Sequence, residues 1–144
     1  MFKVIIRSVI SLFVWLYQRT DGKFIGKIQG LPVLLLTTTG RKTGKKRVTP
    51  LGYFKHDGYY VITAAFAAFG AVPGWFYNLK NNPEIAIQIQ DKQLTAMAEP
   101  ANPIFRKNLW GKLVELAPGY KAYQKRTTSE IPMVLLRPVS EVPG

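Results

Sequence analysis

The hydrophobic and polar positions change their period along the chain, and these changes divide it into predicted elements. Residues 1–19 are apolar nearly all round, which predicts a helix. Residues 20–32 contain three glycines and one proline and are expected to be a linker. Residues 33–144 are expected to form one domain, in which β-branched and alternating runs predict strands at 33–39, 47–54, 59–65, 84–90, 93–98 and 131–137.

Helices are predicted between the later strands of this domain. Pro73 opens a short helix over 74–81, and an Asn-Pro pair begins an amphipathic helix over 103–117. A shorter helix carries Tyr120 and Tyr123. Because helices do not alternate with strands, a doubly wound sheet is disfavoured. The pattern favours an α+β fold, a barrel of about six mostly antiparallel strands with an N-terminal helix and inserted helices.

The N-terminal helix has two compatible interpretations. Its uninterrupted apolar run, residues 8–17, is shorter than the ~20 residues that cross a bilayer. The helix either packs against the domain or lies in a membrane interface, with Trp15 and Tyr17 at the headgroups and three cations on anionic lipid, Lys3, Arg7 and Arg19. The expected location is cytoplasmic, with peripheral contact to the inner face of the cell membrane.

Composition narrows the chemistry that this chain can perform. A hydrophobic fraction of 47% excludes a disordered protein, and the lack of cysteine excludes disulfides, thiol nucleophiles and Cys-based metal sites. The single histidine, His56, disfavours a histidine metal site and a Ser–His pair. Neither a nucleophile with its base nor a metal-ligand set emerges, so no catalytic side chain is predicted. An enzyme of this composition needs a bound organic cofactor.

The net charge of +12 predicts an anionic partner: nucleic acid, an anionic membrane or a multiply charged small molecule. Five basic residues occupy seven positions between two predicted strands, at Arg41–Arg47, which we call the basic turn. Its arginines can bind phosphate or carboxylate, and Gly44 within it and Gly40 before it let the backbone turn. A solvated hairpin turn is the alternative. Nucleic acid is disfavoured, because no helix-turn-helix, zinc-finger or RNP motif is present.

Aromatic residues supply two further candidates. Trp75, near the start of the helix over 74–81, offers a planar face, and Asn78 lies near it at helical spacing. Tyr120 and Tyr123, the tyrosine pair, share a helical face and can line a pocket. Packing in the barrel, or at its rim for the tyrosines, is the alternative in each case.

Several blocks together resemble the deazaflavin-dependent nitroreductase family, of the split β-barrel flavin and deazaflavin oxidoreductases. The likeness runs from about Leu31 to Pro138, and the order and spacing of its blocks make it specific. The blocks are LLTTTGRKTG (35–44), RVTPL (47–51), PGWFYNLK (73–80) with Asn82-Pro83, and YKAYQ (120–124) with Ile131-Pro132.

The resemblance implies a split barrel that binds coenzyme F420, whose reduced form gives a hydride to a lipophilic planar acceptor such as a quinone or nitroaromatic. FMN and haem are less favoured cofactors. By position, the phosphate and the tail carboxylates would contact Arg41, Lys42, Thr43 and Arg47. The rest of the coenzyme site would comprise Thr49, Pro50, Ala64, Ala65, Phe66, Gly74, Trp75, Asn78 and Tyr120. The acceptor pocket would comprise Tyr53, Tyr120 and Tyr123, although strand packing also accounts for Tyr53.

One block departs from the family pattern. Where the family commonly has Ser-Lys-Gly-Gly after the third strand, this chain has Ala-Ala-Phe-Ala-Ala at 64–68. A hydroxyl donor and a cation are therefore missing beside the expected coenzyme. This leaves a second hypothesis, a split-barrel protein without reductase activity that holds another ligand such as haem, a flavin or a fatty acid.

Overall fold

A computed structural model describes the backbone of residues 2–22, 27–28, 30–65 and 72–142, and the side chains of 10–22, 30–65 and 72–141. The described strands are β1 Lys27–Ile28, β2 Leu31–Thr39, β3 Lys46–Gly52, β4 Phe54–His56, β5 Tyr59–Thr63, β6 Glu84–Ile89, β7 Lys92–Pro100 and β8 Met133–Val142. The helices are α1 Phe2–Thr20, α2 Gly74–Asn81, α3 Pro103–Leu116 and α4 Lys121–Lys125, with a 3-10 helix at Pro118–Tyr120.

The strands form one curled antiparallel sheet. Its order is β3-β2-β6-β7-β8-β5-β4, and β1 pairs with the start of β2. β3 contacts β5, but no ladder joins these two strands among the described residues. The sheet is therefore an incompletely closed barrel, and the predicted α+β antiparallel fold is confirmed.

β2 is apolar on both faces because it separates two hydrophobic cores. Leu34 and Leu36 are fully buried in the main core, which lies inside the curled sheet. Val33 and Leu35 face the other way and pack with Tyr17 of α1. The continuous run of leucines in this strand thus reflects burial on both sides.

α1 packs against the sheet around Tyr17, which is buried, so the predicted position of Tyr17 at membrane headgroups is wrong. The hydroxyl of Tyr17 donates to the carbonyl of Val33 at 2.8 Å and accepts from the amide of Gln90 at 2.9 Å. Gly22 follows the helix with a φ of +77°, and a Cβ there would lie 2.9 Å from the Tyr17 ring. Glycine at this position lets the chain turn back against the ring.

α3 and the residues after it cover the outer face of β5 and β8, away from the main core. Leu109 and Leu113 of α3 pack with Met133, Leu135 and Tyr120 in a second core. The predicted apolar stripe of α3 is wider than the buried face, since Leu116 is exposed. Asn102 caps α3, and its Oδ1 accepts from the amide of Phe105 at 2.8 Å.

The structure corrects several predicted boundaries. The single strand predicted over 47–54 is two strands, β3 and β4, which are interrupted at Tyr53. The last strand begins two residues later than predicted and continues to Val142. The stretch predicted as a linker, 20–32, contains β1 and the start of β2. The described strands number eight rather than about six.

Candidate functional site

The basic turn is shaped by two glycines. The amide of Gly40 donates to the carbonyl of Lys45 at 2.7 Å, and the amide of Gly44 donates to the carbonyl of Gly40 at 2.8 Å. Gly44 has a φ of +72°, and a Cβ on Gly40 would lie 3.1 Å from the Lys45 carbonyl oxygen. The turn holds Lys42, Thr43 and Arg47 exposed to solvent.

Arg41 is held against α2. Its Nη1 donates to Asn78 Oδ1 at 2.9 Å and to the carbonyl of Gly74 at 3.3 Å, and its backbone amide donates to the same Oδ1 at 3.2 Å. Asn78 is buried, and its Nδ2 donates to Thr38 Oγ1 at 3.4 Å. Three of the predicted coenzyme residues, Arg41, Gly74 and Asn78, are therefore in direct contact.

The aromatic face beside Arg41 belongs to Tyr77 and not to Trp75. Trp75 is buried in the main core, with its ring centroid 6.3 Å from that of Phe76. Tyr77 is exposed, and the Arg41 guanidinium lies 5.3 Å from the centre of its ring. Tyr77 and Thr38 were missed because each reads in the sequence as an ordinary residue of its helix or strand. The contacts that single them out, Arg41 with Tyr77 and Asn78 with Thr38, join segments that are distant in sequence.

The tyrosine pair lies at the other end of β3. The ring centroids of Tyr120 and Tyr123 are 5.4 Å apart, Tyr120 is buried and Tyr123 is half-buried. A Cβ on Gly52, the last residue of β3, would lie 3.3 Å from the Tyr120 hydroxyl. Burial raises the pKa of Tyr120, and Tyr123 raises it further, so this hydroxyl keeps its proton at neutral pH.

The remaining predicted residues lie along β3 and near the tyrosine pair. Thr49 and Pro50 are half-buried in β3. Tyr53 is buried in the main core, edge-on to Tyr60 at 5.6 Å, and burial raises its pKa. Ala65 packs against the second core, which contains Tyr120.

The block that departs from the family pattern is described only in part. Ala64 is buried, and its amide donates to the carbonyl of Pro132 at 3.0 Å. The Ala64 amide is thus occupied within the protein. Phe66 lies outside the described residues.

The structure thus gathers most of the described candidate residues into two groups joined by β3, whereas Trp75 and Tyr53 are buried in the main core. The basic turn and α2 lie where β3 begins, and the tyrosine pair lies where it ends. Six residue steps along a strand span ~20 Å, so the arrangement fits an elongated cofactor with an anionic tail and a planar ring. Among the described residues, no carboxylate pairs with a cation of the basic turn, which leaves those charges for a ligand.

Outside these two groups, the described part of the chain has a groove that none of the predicted residues lines, and it has no cluster of metal ligands. A groove of about 470 Å³ on the outer face of β2, β6 and β7 contains one cation, Lys46, and one carboxylate, Glu84. None of the predicted site residues lines it. No cluster of three His, Asp or Glu side chains suited to a metal ion occurs among the described residues.

Comparisons with known proteins identify the family of this chain. The family model for F420H2-dependent quinone reductases matches residues 9–138. An F420H2-dependent quinone reductase of Mycobacterium tuberculosis strain H37Rv is 38% identical over 133 residues, which cover 90% of this chain and 89% of that protein.

Solved structures show the same similarity. The F420H2-dependent reductase FDR-A is 36% identical, with a TM-score of 0.67, over 74% of this chain and 94% of that chain. A structure described as a domain-swapped dimer is 32% identical with the same TM-score, over 87% of this chain and 98% of that chain. The resemblance drawn from the sequence motifs is therefore confirmed: the chain belongs to the F420H2-dependent quinone reductase family, and it is an oxidoreductase that uses coenzyme F420.

Proposed function

We propose that the basic turn and α2 bind the anionic tail of F420, and that the tyrosine pair bounds the pocket in which a quinone is reduced. The observation that carries this proposal is the placement of Arg41. Its guanidinium is held on Asn78 and Gly74, beside exposed cations that no described carboxylate neutralises.

Arg41 is suited to a tail phosphate or carboxylate because it is already oriented. A guanidinium has donors on Nε, Nη1 and Nη2. Within the described part of the chain, the side-chain hydrogen bonds of Arg41 all use Nη1. Nε and Nη2 can then form a two-point contact with an anion, and little side-chain entropy is lost on binding.

When bound, reduced F420 supplies the hydride, and the chain supplies orientation and a protected pocket. Tyr120 is buried beside Gly52, and Tyr123 covers its ring, so the pair limits the access of water. The raised pKa of Tyr120 keeps a proton on its hydroxyl. That hydroxyl can donate a hydrogen bond to the carbonyl oxygen of a quinone, where negative charge develops.

Binding and turnover test this proposal directly. We expect F420 to bind with a Kd of ~1–100 µM, within the ~1 µM to 1 mM common for KM values of enzymes, and the reduced form to reduce a soluble naphthoquinone. The double variant Lys42→Gln/Arg47→Gln should weaken F420 binding roughly tenfold, because two exposed cations of the basic turn are lost. The double variant Lys121→Gln/Lys125→Gln removes the same charge from α4 and should not weaken it.

Two results would contradict the proposal. One is the absence of F420 binding by the wild-type protein in this concentration range. The other is a haem or flavin absorbance spectrum in the purified protein, which would favour a different ligand.

We further propose that α1 places the protein on an anionic membrane surface. At 3.6 residues per turn, Leu12, Trp15 and Arg19 lie within roughly 60° of one another, on the side of α1 opposite Tyr17. Leu12 and Trp15 are both more than half exposed, and Arg19 lies 5.4 Å from the centre of the Trp15 indole. Such a face suits an interfacial helix. No described helix is both long and apolar enough to cross a bilayer.

Co-sedimentation with lipid vesicles tests this placement. We expect binding to vesicles that contain phosphatidylglycerol and little binding to phosphatidylcholine alone. Leu12→Ser/Trp15→Ser should abolish it, whereas Val139→Ser, at an apolar position of similar exposure on β8, should not. Equal binding of the two variants to the anionic vesicles would exclude α1 as the membrane contact.

A further inference from the structure

Arg106, in the first turns of α3, contacts the segment that follows the tyrosine pair. Its Nε and Nη2 both donate to the carbonyl of Ile131, at 3.0 and 2.9 Å. Nη2 also donates to Gln124 Oε1 at 2.7 Å. One half-buried guanidinium therefore joins α3, α4 and the chain that leads into β8.

Gln124 completes this network from α4. Its Oε1 accepts from the amide of Ile131 at 3.2 Å as well as from Arg106, and its Nε2 donates to the carbonyl of Ser129 at 2.8 Å. Gln124 follows Tyr123 directly and lies four residues after Tyr120. Its contacts therefore fix the helical segment that carries the tyrosine pair to the loop over 126–132.

The same loop reaches the end of β5. The carbonyl of Pro132, the residue after Ile131, accepts from the amide of Ala64 at 3.0 Å and from Thr63 Oγ1 at 3.1 Å. Ala64 and Ala65 belong to the expected coenzyme site. The tyrosine pair and the end of β5 are thus connected through a loop that Arg106 holds.

The chemistry of this contact requires arginine. The guanidinium lies 4.8 Å from the centre of the Trp110 ring, and its two nitrogens share one carbonyl, a geometry that a lysine ammonium cannot reproduce. Burial lowers the pKa of Arg106, whereas Glu130 raises it. The cost of withdrawing a cation from water is offset by the hydrogen bonds to two fixed oxygens.

We propose that Arg106 is a positioning residue, which acts through Gln124 and Ile131 to hold the tyrosine pair in place relative to the end of β5. This inference rests on the proposed function for its effect on quinone reduction. Its structural part concerns the free protein and can be tested without any ligand.

Hydrogen exchange of the unliganded protein gives the first test. In Arg106→Met, we expect the amides of Ile131 and Ala64 to exchange at least about tenfold faster, since the loop loses two hydrogen bonds to the guanidinium and Gln124 loses a third. Lys112→Met is the matched control. It removes another α3 cation, one that bonds to the carbonyl of Lys55 and to His56, and should leave both amides unchanged. Unchanged exchange in Arg106→Met would overturn the inference.

Kinetics with reduced F420 and a soluble naphthoquinone give the second test. Arg106→Met should raise KM for the quinone and lower kcat, together by roughly tenfold in kcat/KM. The Kd for F420 should rise by a clearly smaller factor, because the loop also reaches Ala64 but the basic turn keeps its contacts with the tail. A merely structural loss would move both ligands alike and would overturn the assignment. If Arg106→Met does not fold, Arg106→Lys carries the same test, since it keeps the charge and loses the paired contact.

A double-mutant cycle checks that Arg106 acts through Gln124. Gln124→Ala should reproduce the kinetic change, and Arg106→Met/Gln124→Ala should lose little more than either single variant. Arg106→Met/Lys112→Met should be additive. Additive losses for Arg106 and Gln124 would contradict a shared path. If the wild-type protein binds no F420, the proposed function fails, and the exchange result alone decides the structural part.

Discussion

Asn78 illustrates what a single buried polar side chain contributes to the candidate site. Its carboxamide accepts from the backbone and side chain of Arg41 and donates to Thr38, so α2, β2 and the basic turn meet at one group. The sequence placed Asn78 near Trp75 on a helical face. Its bond to Arg41, 37 residues away, depends on how β2 and α2 pack and is not visible in any local pattern.

Replacing Asn78 with alanine should therefore weaken coenzyme binding. Arg41 would keep its charge but lose the acceptor that orients it, and we expect the Kd for F420 to rise roughly tenfold. A fluorescence titration measures this. Asn81→Ala, at an exposed position in the same helix, serves as the control, and equal Kd values for the two variants would contradict the role of Asn78.

Tyr17→Phe should destabilise the protein by about 1–2 kcal/mol, because the Gln90 amide and the Val33 carbonyl lose their shared partner. Urea unfolding measures this loss, and Tyr77→Phe, an exposed tyrosine, should change stability little. A Tyr17→Phe protein as stable as the wild type would show that α1 is held by packing alone.

The pH dependence of stability gives Tyr17 a second signature. Burial raises the pKa of Tyr17 above its ordinary value near 10. The protonated hydroxyl of Tyr17 therefore stabilises the folded state. This stabilisation is complete below pH ~10 and is lost as the pH rises toward the pKa of Tyr17 in the folded protein. Part of this alkaline loss should disappear in Tyr17→Phe and persist in Tyr77→Phe. Identical dependence of stability on alkaline pH in the two variants would contradict this role of Tyr17.

At the level of elements, local patterns predicted best where local chemistry decides the structure. The alternation over 84–90 and the Asn-Pro start at 102–103 correspond closely to β6 and α3. The interruption of the second strand at Tyr53 was missed. The amide of Tyr53 bonds to the carbonyl of Pro32 in the β2–β3 register, but Pro32 has no amide to return the bond. The next strand, β4, pairs with β5 instead, and that change of partner depends on tertiary structure.

The N-cap of α3 supports a prediction at this level. Asn102→Ala should cost about 1 kcal/mol of unfolding free energy, because the first turn loses the side-chain acceptor of the Phe105 amide. Asn108→Ala, at an exposed position inside the same helix, should be neutral or slightly stabilising, since alanine favours helices. Urea unfolding of both variants measures the change in unfolding free energy, and equal changes would exclude a capping role for Asn102.

For the whole molecule, the location of the basic residues narrows the kind of anionic partner that the net charge of +12 predicts. Part of it lies in the basic turn, which is exposed and unpaired with carboxylates among the described residues. The composition alone left three anionic partners open. The family comparison, together with the ~20 Å that separates the turn from the tyrosine pair along β3, favours a small charged cofactor.

Coenzyme binding should therefore depend on salt. Raising NaCl from about 25 to about 250 mM shortens the Debye length roughly threefold, and the affinity for F420 should fall. Lys42→Gln/Arg47→Gln should show a shallower dependence than the wild type, whereas Lys121→Gln/Lys125→Gln should retain the wild-type slope. Parallel slopes for all three proteins would mean that the basic turn does not meet the charged tail.

The two-sided burial of β2 has a consequence for folding. Because both faces of this strand are apolar, a shift of its register by one residue would still place apolar side chains on both faces. The hydrophobic pattern alone therefore does not exclude the shifted register. Its register is instead fixed at its ends, by the Tyr17 hydroxyl on the Val33 carbonyl and by the turn closed at Gly40. We expect β2 to be aligned late, after α1 docks and the turn forms. Pulse-labelled exchange during refolding would refute this if the β2 amides were protected before those of α1.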